Sequence, residues 1–229
     1  MMKKLFFVAI LCLAFTTLYS QDTKTANDFK LEGKEAYKQK DYGKALAAFE
    51  SAIKICEKEN TPDNTLYYNA AYCAIKTKKY SKSAMYFDKS IKVNYKTSKA
   101  YLYKAISYKK LNDDKNFELT LKEGLKVFPD NYKLKKQLFN LYFKKGSKDY
   151  NAGSEILQKA APLAKSNPKK YTQEQNKANV IFKKALPMIV KAHNIIPKNK
   201  QAIESLISMY QSLGMKEKEA EMKNLLKTL

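Results

Sequence analysis

The chain alternates between short polar segments and helix-length segments that carry an apolar stripe. In YKQKDYGKALAAFESAIKI, residues 37–55, apolar residues recur every three or four positions, which predicts an amphipathic helix. Ala45 and Ala52 are small residues seven positions apart, with Phe49 between them. Small residues two turns apart let a second helix approach closely, and a large residue one turn away fills the groove beside the crossing. The stretch therefore predicts a closely packed antiparallel helical hairpin.

The same arrangement of small and large residues recurs twice, shifted by 38 and then by a further 34 residues. The structural positions of the three copies are Gly33, Ala45, Phe49, Ala52, Ala71, Ser83, Phe87, Ser90, Ala105 and Gly124. Two residues depart from the pattern: Glu32 stands where a large apolar residue is expected, and Phe117 where a small one is. A period near 34 is typical of helix–turn–helix repeats, which bury their apolar faces by stacking on one another.

On these residues, and on KALPMIVKAHNIIP at 184–197, the chain resembles the tetratricopeptide repeat (TPR) family, and in particular secreted bacterial TPR proteins. The resemblance implies an all-α fold, a right-handed α-solenoid of helix–turn–helix repeats with a C-terminal capping helix. Within residues 21–131 we expect three repeats, at about 26–59, 64–97 and 98–131.

Residues 132–197 allow two interpretations. One is a single elongated helical hairpin, kinked near Gly146 and bent near Pro187, where the proline ring removes a backbone hydrogen bond. The other is two divergent TPR repeats joined by a long linker. Residues 198–229 predict a TPR-like helix pair whose last helix has the charged face KEKEAEMK, which suits the polar cap of a repeat array.

The first twenty residues, MMKKLFFVAILCLAFTTLYS, have the layout of a secretory signal peptide. Lys3 and Lys4 precede an apolar run over residues 5–15, and Ser20 supplies a small residue before the expected cleavage point. The run is shorter than the roughly 20 apolar residues of a spanning helix, although an uncleaved anchor is the alternative. We therefore expect an exported protein with no transmembrane segment after cleavage, located in the periplasm or cell envelope, or secreted.

Charge narrows the choice of partner. All 44 basic residues are lysine, against 22 acidic residues, and removal of residues 1–20 leaves 42 lysines and a net charge of +20. Lysines spread along the chain are typical of a solvated helix surface, and a patch for an anionic partner is the alternative. Because arginine supplies the planar fork that reads guanine edges and grips phosphates, its absence disfavours nucleic acid as a partner.

The sequence offers little for catalysis. Beyond residue 20 it has one histidine, His193, and two cysteines, Cys56 and Cys73. Because the helix offset between the cysteines exceeds the reach of a disulfide, we expect two buried free thiols, and we expect His193 to be a packed structural residue. These groups cannot assemble the usual zinc sites. We expect no catalytic residue, no metal and no cofactor.

Binding is the function that the resemblance implies, because TPR arrays present a concave surface lined by the first helix of each repeat. The expected groove residues are Lys30, Lys34, Tyr37, Tyr68, Asn69, Tyr72, Ile75, Lys99, Leu102, Ile106 and Lys109. Tyrosines and lysines together can stack on apolar side chains and attract acidic groups. The alternative is that several of these tyrosines only pack against neighbouring repeats.

Part of the TPR family clamps the terminal carboxylate of a chaperone peptide with lysine and asparagine. Lys30, Asn69 and Lys99 match that pattern, whereas Lys34 and Tyr103 depart from it. Two functions follow as hypotheses. The first is an exported, non-enzymatic scaffold that binds a protein or peptide in its groove. The alternative is a cell-envelope protein that binds an anionic polymer or membrane surface through its lysine-rich face.

Overall fold

The structure is a computed structural model that describes residues 24–229, so the predicted signal peptide lies outside the described residues. Over this range the fold is all α, as predicted, with eleven helices and no strand. The helices are α1 (Ala26–Lys38), α2 (Tyr42–Glu59), α3 (Asn64–Lys76), α4 (Tyr80–Lys92), α5 (Thr97–Lys110), α6 (Asp114–Val127), α7 (Tyr132–Ala160), α8 (Leu163–Ser166), α9 (Pro168–Ile195), α10 (Lys200–Ser212) and α11 (Lys216–Lys227). They fall into two compact units that divide between Lys96 and Thr97. We call residues 24–96 unit 1 and residues 97–229 unit 2.

Unit 1 consists of two helical hairpins, α1–α2 and α3–α4, with α2 packed against α3. Ala45 and Ala52 of α2 are fully buried, and Phe49 between them is 1% exposed. A Cβ atom at Gly33 would lie 2.7 Å from Cδ1 of Phe49, so the absence of a side chain at residue 33 lets α1 approach the ring. The packing therefore has the small–large alternation from which the repeat was predicted.

Side-chain caps set where the helices of unit 1 begin. Thr25 and Asp28 form a reciprocal capping box at the start of α1, in which each side chain accepts a hydrogen bond from the other's backbone N–H. Asp41 caps α2 by accepting from Lys44 N at 2.9 Å. Asp63 caps α3 by accepting from Thr65 N at 3.0 Å. Each cap satisfies a backbone N–H in the first turn of its helix and so favours the start of the helix at that residue.

The first part of unit 2 is the hairpin α5–α6, against which α7 packs. Gly124 of α6 permits this approach, because a Cβ there would lie 3.0 Å from side-chain atoms of both Leu134 and Tyr101. Phe117, which stands where the repeat pattern expects a small residue, is 2% exposed and belongs to the same core as Leu121. The core thus accommodates the larger ring.

Residues 132–195 form one elongated hairpin in which α7, of 29 residues, packs along α9, of 28 residues. Each of the two glycines of α7 faces a large side chain of α9. A Cβ at Gly146 would lie 2.7 Å from Cδ1 of Ile189, and one at Gly153 would lie 2.5 Å from Cε1 of Phe182. Helix α7 is continuous through Gly146 and helix α9 is continuous through Pro187, the residues near which the sequence predicts a kink and a bend.

The last helix pair, α10–α11, completes unit 2. Its core residues, among them Ile203, Leu206 and Met209, pack with those of α9. Gly214 makes the turn with a φ of +70°, a left-handed conformation that glycine adopts without strain. On α11 Met222 is the buried residue, and the remaining positions are half-buried or exposed. Such a helix suits the polar end of a repeat array.

Two further sequence expectations can be compared with the structure. Cys56 and Cys73 are both free and buried, which confirms the two unpaired thiols. Burial raises the pKa of the Cys73 thiol to about 12. None of the helices described is both long and apolar enough to cross a membrane.

Candidate binding surface

A pocket of about 220 Å³ opens on unit 1 where α1 and α3 lie beside the core. Its lining residues are Lys34, Tyr37 and Lys38 of α1, Phe49 of α2, and Asn69 of α3. Three of these, Lys34, Tyr37 and Asn69, belong to the groove predicted from sequence. We call this site the α1–α3 pocket.

Helix geometry explains why these side chains converge. Gly33 and Ala36 are the buried residues of α1, so positions 34, 37 and 38 lie beside the buried stripe, one turn apart. Tyr37 is 40% exposed, whereas Phe49 beneath it is 1% exposed. The pocket therefore has apolar ring surface in its wall and ammonium groups from the same helix beside it.

Three tyrosines from three helices meet next to the pocket. The ring of Tyr37 lies 5.6 Å from that of Tyr42, edge to face, and 6.0 Å from that of Tyr72. The Lys76 ammonium lies 5.7 Å from the Tyr42 ring centroid and 5.3 Å from that of Tyr72, within the range of a cation–π interaction. We call Tyr37, Tyr42 and Tyr72 the tyrosine cluster. It continues the aromatic surface of the pocket along α1 and α3.

The polar groups of the pocket favour an anionic ligand. Its lining contains two lysines and no carboxylate. Lys38 makes an exposed ion pair of 3.6 Å with Glu35, an arrangement that contributes little in water. In the part of the chain that the structure describes, Lys34 has no ion-pair partner, and the Asn69 amide has no hydrogen-bond partner. Both side chains can therefore donate to a ligand.

Lys30, another predicted groove residue, is engaged elsewhere. Its ammonium donates to the carboxylate of Asp63, the residue that caps α3. Burial alone would raise the pKa of the Asp63 carboxyl, but the hydrogen bonds from Lys30 and Thr65 outweigh burial and lower that pKa. Lys30 therefore ties α1 to the start of α3 and does not line the α1–α3 pocket.

Tyr68 does not have the outward orientation expected from sequence. Its side chain is 8% exposed, and its ring contacts those of Phe87 and Tyr95 edge to face at 5.5 and 6.0 Å. The Lys96 ammonium lies 4.7 Å from the Tyr68 ring centroid. The expectation of an outward groove position is wrong for this residue, because the segment after α4 covers its ring.

The remaining predicted groove residues divide between the units. Ile75 and Tyr72 are half-buried on α3 in unit 1. Lys99, Leu102, Ile106 and Lys109 all lie on α5 in unit 2, where Lys99 and Lys109 are exposed and the two apolar residues are half-buried. The three residues that match the carboxylate-clamp pattern are likewise divided, with Lys30 and Asn69 in unit 1 and Lys99 in unit 2.

Sequence reasoning did not select Lys38, Tyr42 or Lys76 for this surface. Lys38 lies one turn after Lys34, and Lys76 lies four residues after Tyr72, so helical spacing could have indicated both. The repeat pattern indicates Tyr42 only as a packing position. Its contact with Tyr37 depends on the turn between α1 and α2, which spacing alone does not reveal.

Two further features concern chemically reactive side chains: possible metal ligands and the histidine, His193. Among residues 24–229 no cluster of three or more His, Cys, Asp or Glu side chains could hold a metal ion. His193 is half-buried, and burial lowers its imidazole pKa, while the negative charge of Glu221 acts in the opposite direction.

Comparison with known proteins places the chain among repeat proteins, although no protein-family model matches it. It is 32% identical over 114 residues to the Saccharomyces cerevisiae heat shock protein STI1, covering 50% of this chain and 19% of STI1. It is 29% identical over 153 residues to the Dictyostelium discoideum STIP1 homologue, covering 66% of this chain and 26% of that protein. The chain thus spans between a fifth and about a quarter of these relatives.

Among solved structures, the chain is similar to a TPR repeats protein from Bacteroides fragilis. The two share 29% sequence identity with a TM-score of 0.55, and the match covers 84% of this chain and 100% of that one. This likeness extends through both units and confirms the predicted class of helical-repeat solenoids. Taken with the recurring small–large hairpins, it shows that the chain has the fold of tetratricopeptide repeat proteins.

Proposed function

We propose that this protein is a non-enzymatic scaffold that binds a partner protein through the α1–α3 pocket of unit 1. The observation that carries the proposal is the pocket's lining, which combines aromatic rings, two lysines and an unbonded amide without any carboxylate. The partner segment would present a carboxylate beside an apolar side chain.

Each pocket residue has a distinct part in this recognition. The ammonium groups of Lys34 and Lys38 and the Asn69 amide N–H donate hydrogen bonds to the partner carboxylate. Such charge-assisted bonds are roughly twice as strong as neutral ones. The partner's apolar side chain packs against Tyr37 and the edge of Phe49, which together offer large, rigid surface. Recognition of this kind forms and breaks no covalent bond.

The family supports a binding role. TPR hairpins stack into arrays that bury their core and leave an extended surface for partners. The relatives STI1 and the STIP1 homologue carry stretches similar to half or more of this chain. Interaction through a repeat surface is thus the function that fits the fold, and the pocket gives that surface its chemical preference.

Export is a second part of the proposal. It is supported by the layout of residues 1–20, with two lysines, an apolar run and a small residue before position 21. N-terminal sequencing of the protein from fractionated cells tests it. A mature N terminus near Gln21 in the envelope or medium is expected, and an intact N terminus in the cytoplasmic fraction would contradict export.

A paired set of peptides tests the pocket. Each test peptide carries Asp or Glu beside Phe or Leu. Its matched control peptide has the same sequence with Asn in place of Asp or Gln in place of Glu. We expect the full chain to bind the acidic members, and Lys34→Ala to weaken binding by at least about tenfold, the effect of losing one hydrogen bond between charged groups.

Lys54→Ala on α2 is the matched control, because it removes the same charge from another exposed position. It should leave the affinity within about twofold, since the residue lies outside the pocket. Equal binding of acids and amides, or equal loss in both variants, would contradict the proposed use of the pocket.

A further inference from the structure

The elongated hairpin of unit 2 carries a large share of the positive charge of the protein. This charge is separate from the two lysines that line the pocket of unit 1. Residues 132–195 contain fourteen lysines and three acidic residues, a net charge of +11 within a total of +22 for the chain. Half of the excess charge of the protein therefore lies in little more than a quarter of its length.

On α9 this charge is confined to one side. All six lysines of the helix occupy exposed positions, and the other exposed residues between them are polar or small, apart from Val180 and Pro187. The six are Lys169, Lys170, Lys177, Lys183, Lys184 and Lys191, and we call them the lysine face. Four of them, at 170, 177, 184 and 191, recur every seven residues, or about 10.5 Å along the helix axis. The lysine face is therefore a row about 33 Å long.

Among the residues that the structure describes, two of the six lysines of the lysine face make an ion pair. The single acidic residue of α9, Glu174, lies beside the face and pairs with Lys177 at 2.7 Å, and Asp149 of α7 pairs with Lys184 at 3.3 Å. Lys169, Lys170 and Lys183 have no ion pair within the described residues. Lys169 and Lys170 also lie in the first turn of α9, which has no acidic residue. The helix dipole makes lysine unfavourable there and adds to the local positive potential.

The composition of the face selects the kind of partner. A protein interface of this length would normally contain buried aromatic or arginine anchors, and a membrane-bound helix would place large apolar residues beside its lysines. Val180 is the one exposed large apolar side chain that the structure describes on this helix. Lysine is a compact, strongly hydrated point charge without fixed bonding geometry, which suits closely spaced anions along a flexible chain.

We propose that the lysine face of α9 binds a linear phosphate polymer, which would lie along the helix and contact several lysines at once. This site goes beyond the proposed peptide pocket and lies on the other unit of the protein. Its binding rests on counterion release, so the affinity falls steeply as salt is raised.

Inorganic polyphosphate is the probe for the test, and the full chain is titrated with it at several salt concentrations. The test variant is Lys169→Gln/Lys170→Gln/Lys183→Gln. The control variant, Lys40→Gln/Lys54→Gln/Lys58→Gln, removes the same charge from exposed residues of unit 1 that also lack ion pairs among the described residues. Circular dichroism verifies that both variants keep their helix content.

We expect the test variant to bind polyphosphate at least about tenfold more weakly, with the slope of log affinity against log salt reduced by about 2 to 3, and the control to stay within about threefold. Equal weakening in the two variants would assign binding to net charge and overturn the proposal. Absence of binding by the unaltered chain would overturn it as well, and so would binding to phosphatidylserine vesicles in preference to polyphosphate.

Discussion

The Lys82 ammonium lies 2.8 Å from Oε1 of Glu50 and so joins α4 to α2 across consecutive hairpins of unit 1. The hydroxyl of Tyr86, a residue that is 8% exposed, donates to the same carboxylate oxygen at 3.0 Å. Two turns further along, Glu57 accepts from Lys89 at 2.7 Å and from Tyr67 at 3.0 Å. Two carboxylates of α2 therefore each bind one lysine and one tyrosine of the next repeat.

This arrangement predicts that Glu50 stabilises unit 1 mainly through Tyr86. Glu50→Ala leaves a buried hydroxyl without its partner and should lower the free energy of unfolding by about 1 to 2 kcal/mol. Glu59→Ala, at an exposed position of the same helix, should change it by no more than about 0.5 kcal/mol. Urea unfolding followed by circular dichroism measures both, and equal effects would show that the shared carboxylate contributes nothing specific.

Gly153 in the long hairpin and Gly43 in α2 of unit 1 should respond in opposite ways to substitution by alanine. Gly153→Ala places a Cβ 2.5 Å from the Phe182 ring, and overpacking of this kind costs about 1 to 3 kcal/mol. Gly43→Ala places a Cβ in α2 where Asp41 Oδ1, at 3.6 Å, is the nearest atom. It should be neutral or stabilising by up to about 1 kcal/mol, because alanine favours helix over glycine. Thermal unfolding of the two variants distinguishes them, and a Gly153→Ala chain as stable as the parent would contradict close packing of α7 on α9.

Tyr37 and Tyr68 are both predicted from the sequence to line the groove, but their substitution by alanine should have different effects on stability. Tyr68→Ala removes a ring from the core and should destabilise unit 1 by about 3 kcal/mol or more. Tyr37→Ala removes a ring that is 40% exposed, so it should cost much less stability while weakening the binding of the acidic peptides in the paired set. Unfolding and peptide titration on both variants test this difference. Similar stability losses would contradict the assignment of Tyr37 to a binding surface.

The buried thiol of Cys73 predicts a dependence of stability on pH. Burial raises its pKa from 9.0 to about 12, so the folded state holds the thiol proton more tightly than the unfolded state does. The stabilisation is complete below pH 9 and is lost as the pH rises from about 9 to 12. Because other groups titrate there too, the quantity to measure is the difference in unfolding free energy between the parent and Cys73→Ala. Above pH 9 the unfolding free energy of the parent should fall relative to that of Cys73→Ala. A difference between the two that does not change with pH would contradict the raised pKa of Cys73.

The repeat register was open to prediction because close helix crossings restrict residue size. Alanine, glycine and serine recur at the spacing where two helix backbones approach each other, and Ala45, Ala52 and Ser83 are indeed buried to 0% exposure. For residues 132–197 the sequence left two interpretations open, because a glycine can either interrupt a helix or allow close helix packing. Gly146 and Pro187 can end a helix, and only the facing side chain, such as Ile189 against Gly146, shows that the glycine serves close packing instead.

The candidate pocket was less accessible to sequence reasoning. Equivalent repeat positions gave Lys30, Tyr68 and Leu102 the same expected orientation. Their surroundings differ because an aspartate caps α3 beside Lys30, and Tyr95 and Lys96 cover Tyr68. These contacts arise from turns between helices, where local backbone geometry rather than periodicity decides which side chains meet.

Photocrosslinking in producing cells tests most directly whether the α1–α3 pocket holds a partner. A benzoylphenylalanine probe replaces Tyr37, and the same probe at Lys54 on α2 serves as the control. The proposed function predicts that position 37 crosslinks one protein at a segment containing Asp or Glu, and that adding Lys34→Glu abolishes the product. If the two positions capture the same proteins in the same amounts, or if Lys34→Glu leaves the product unchanged, the pocket does not hold the partner.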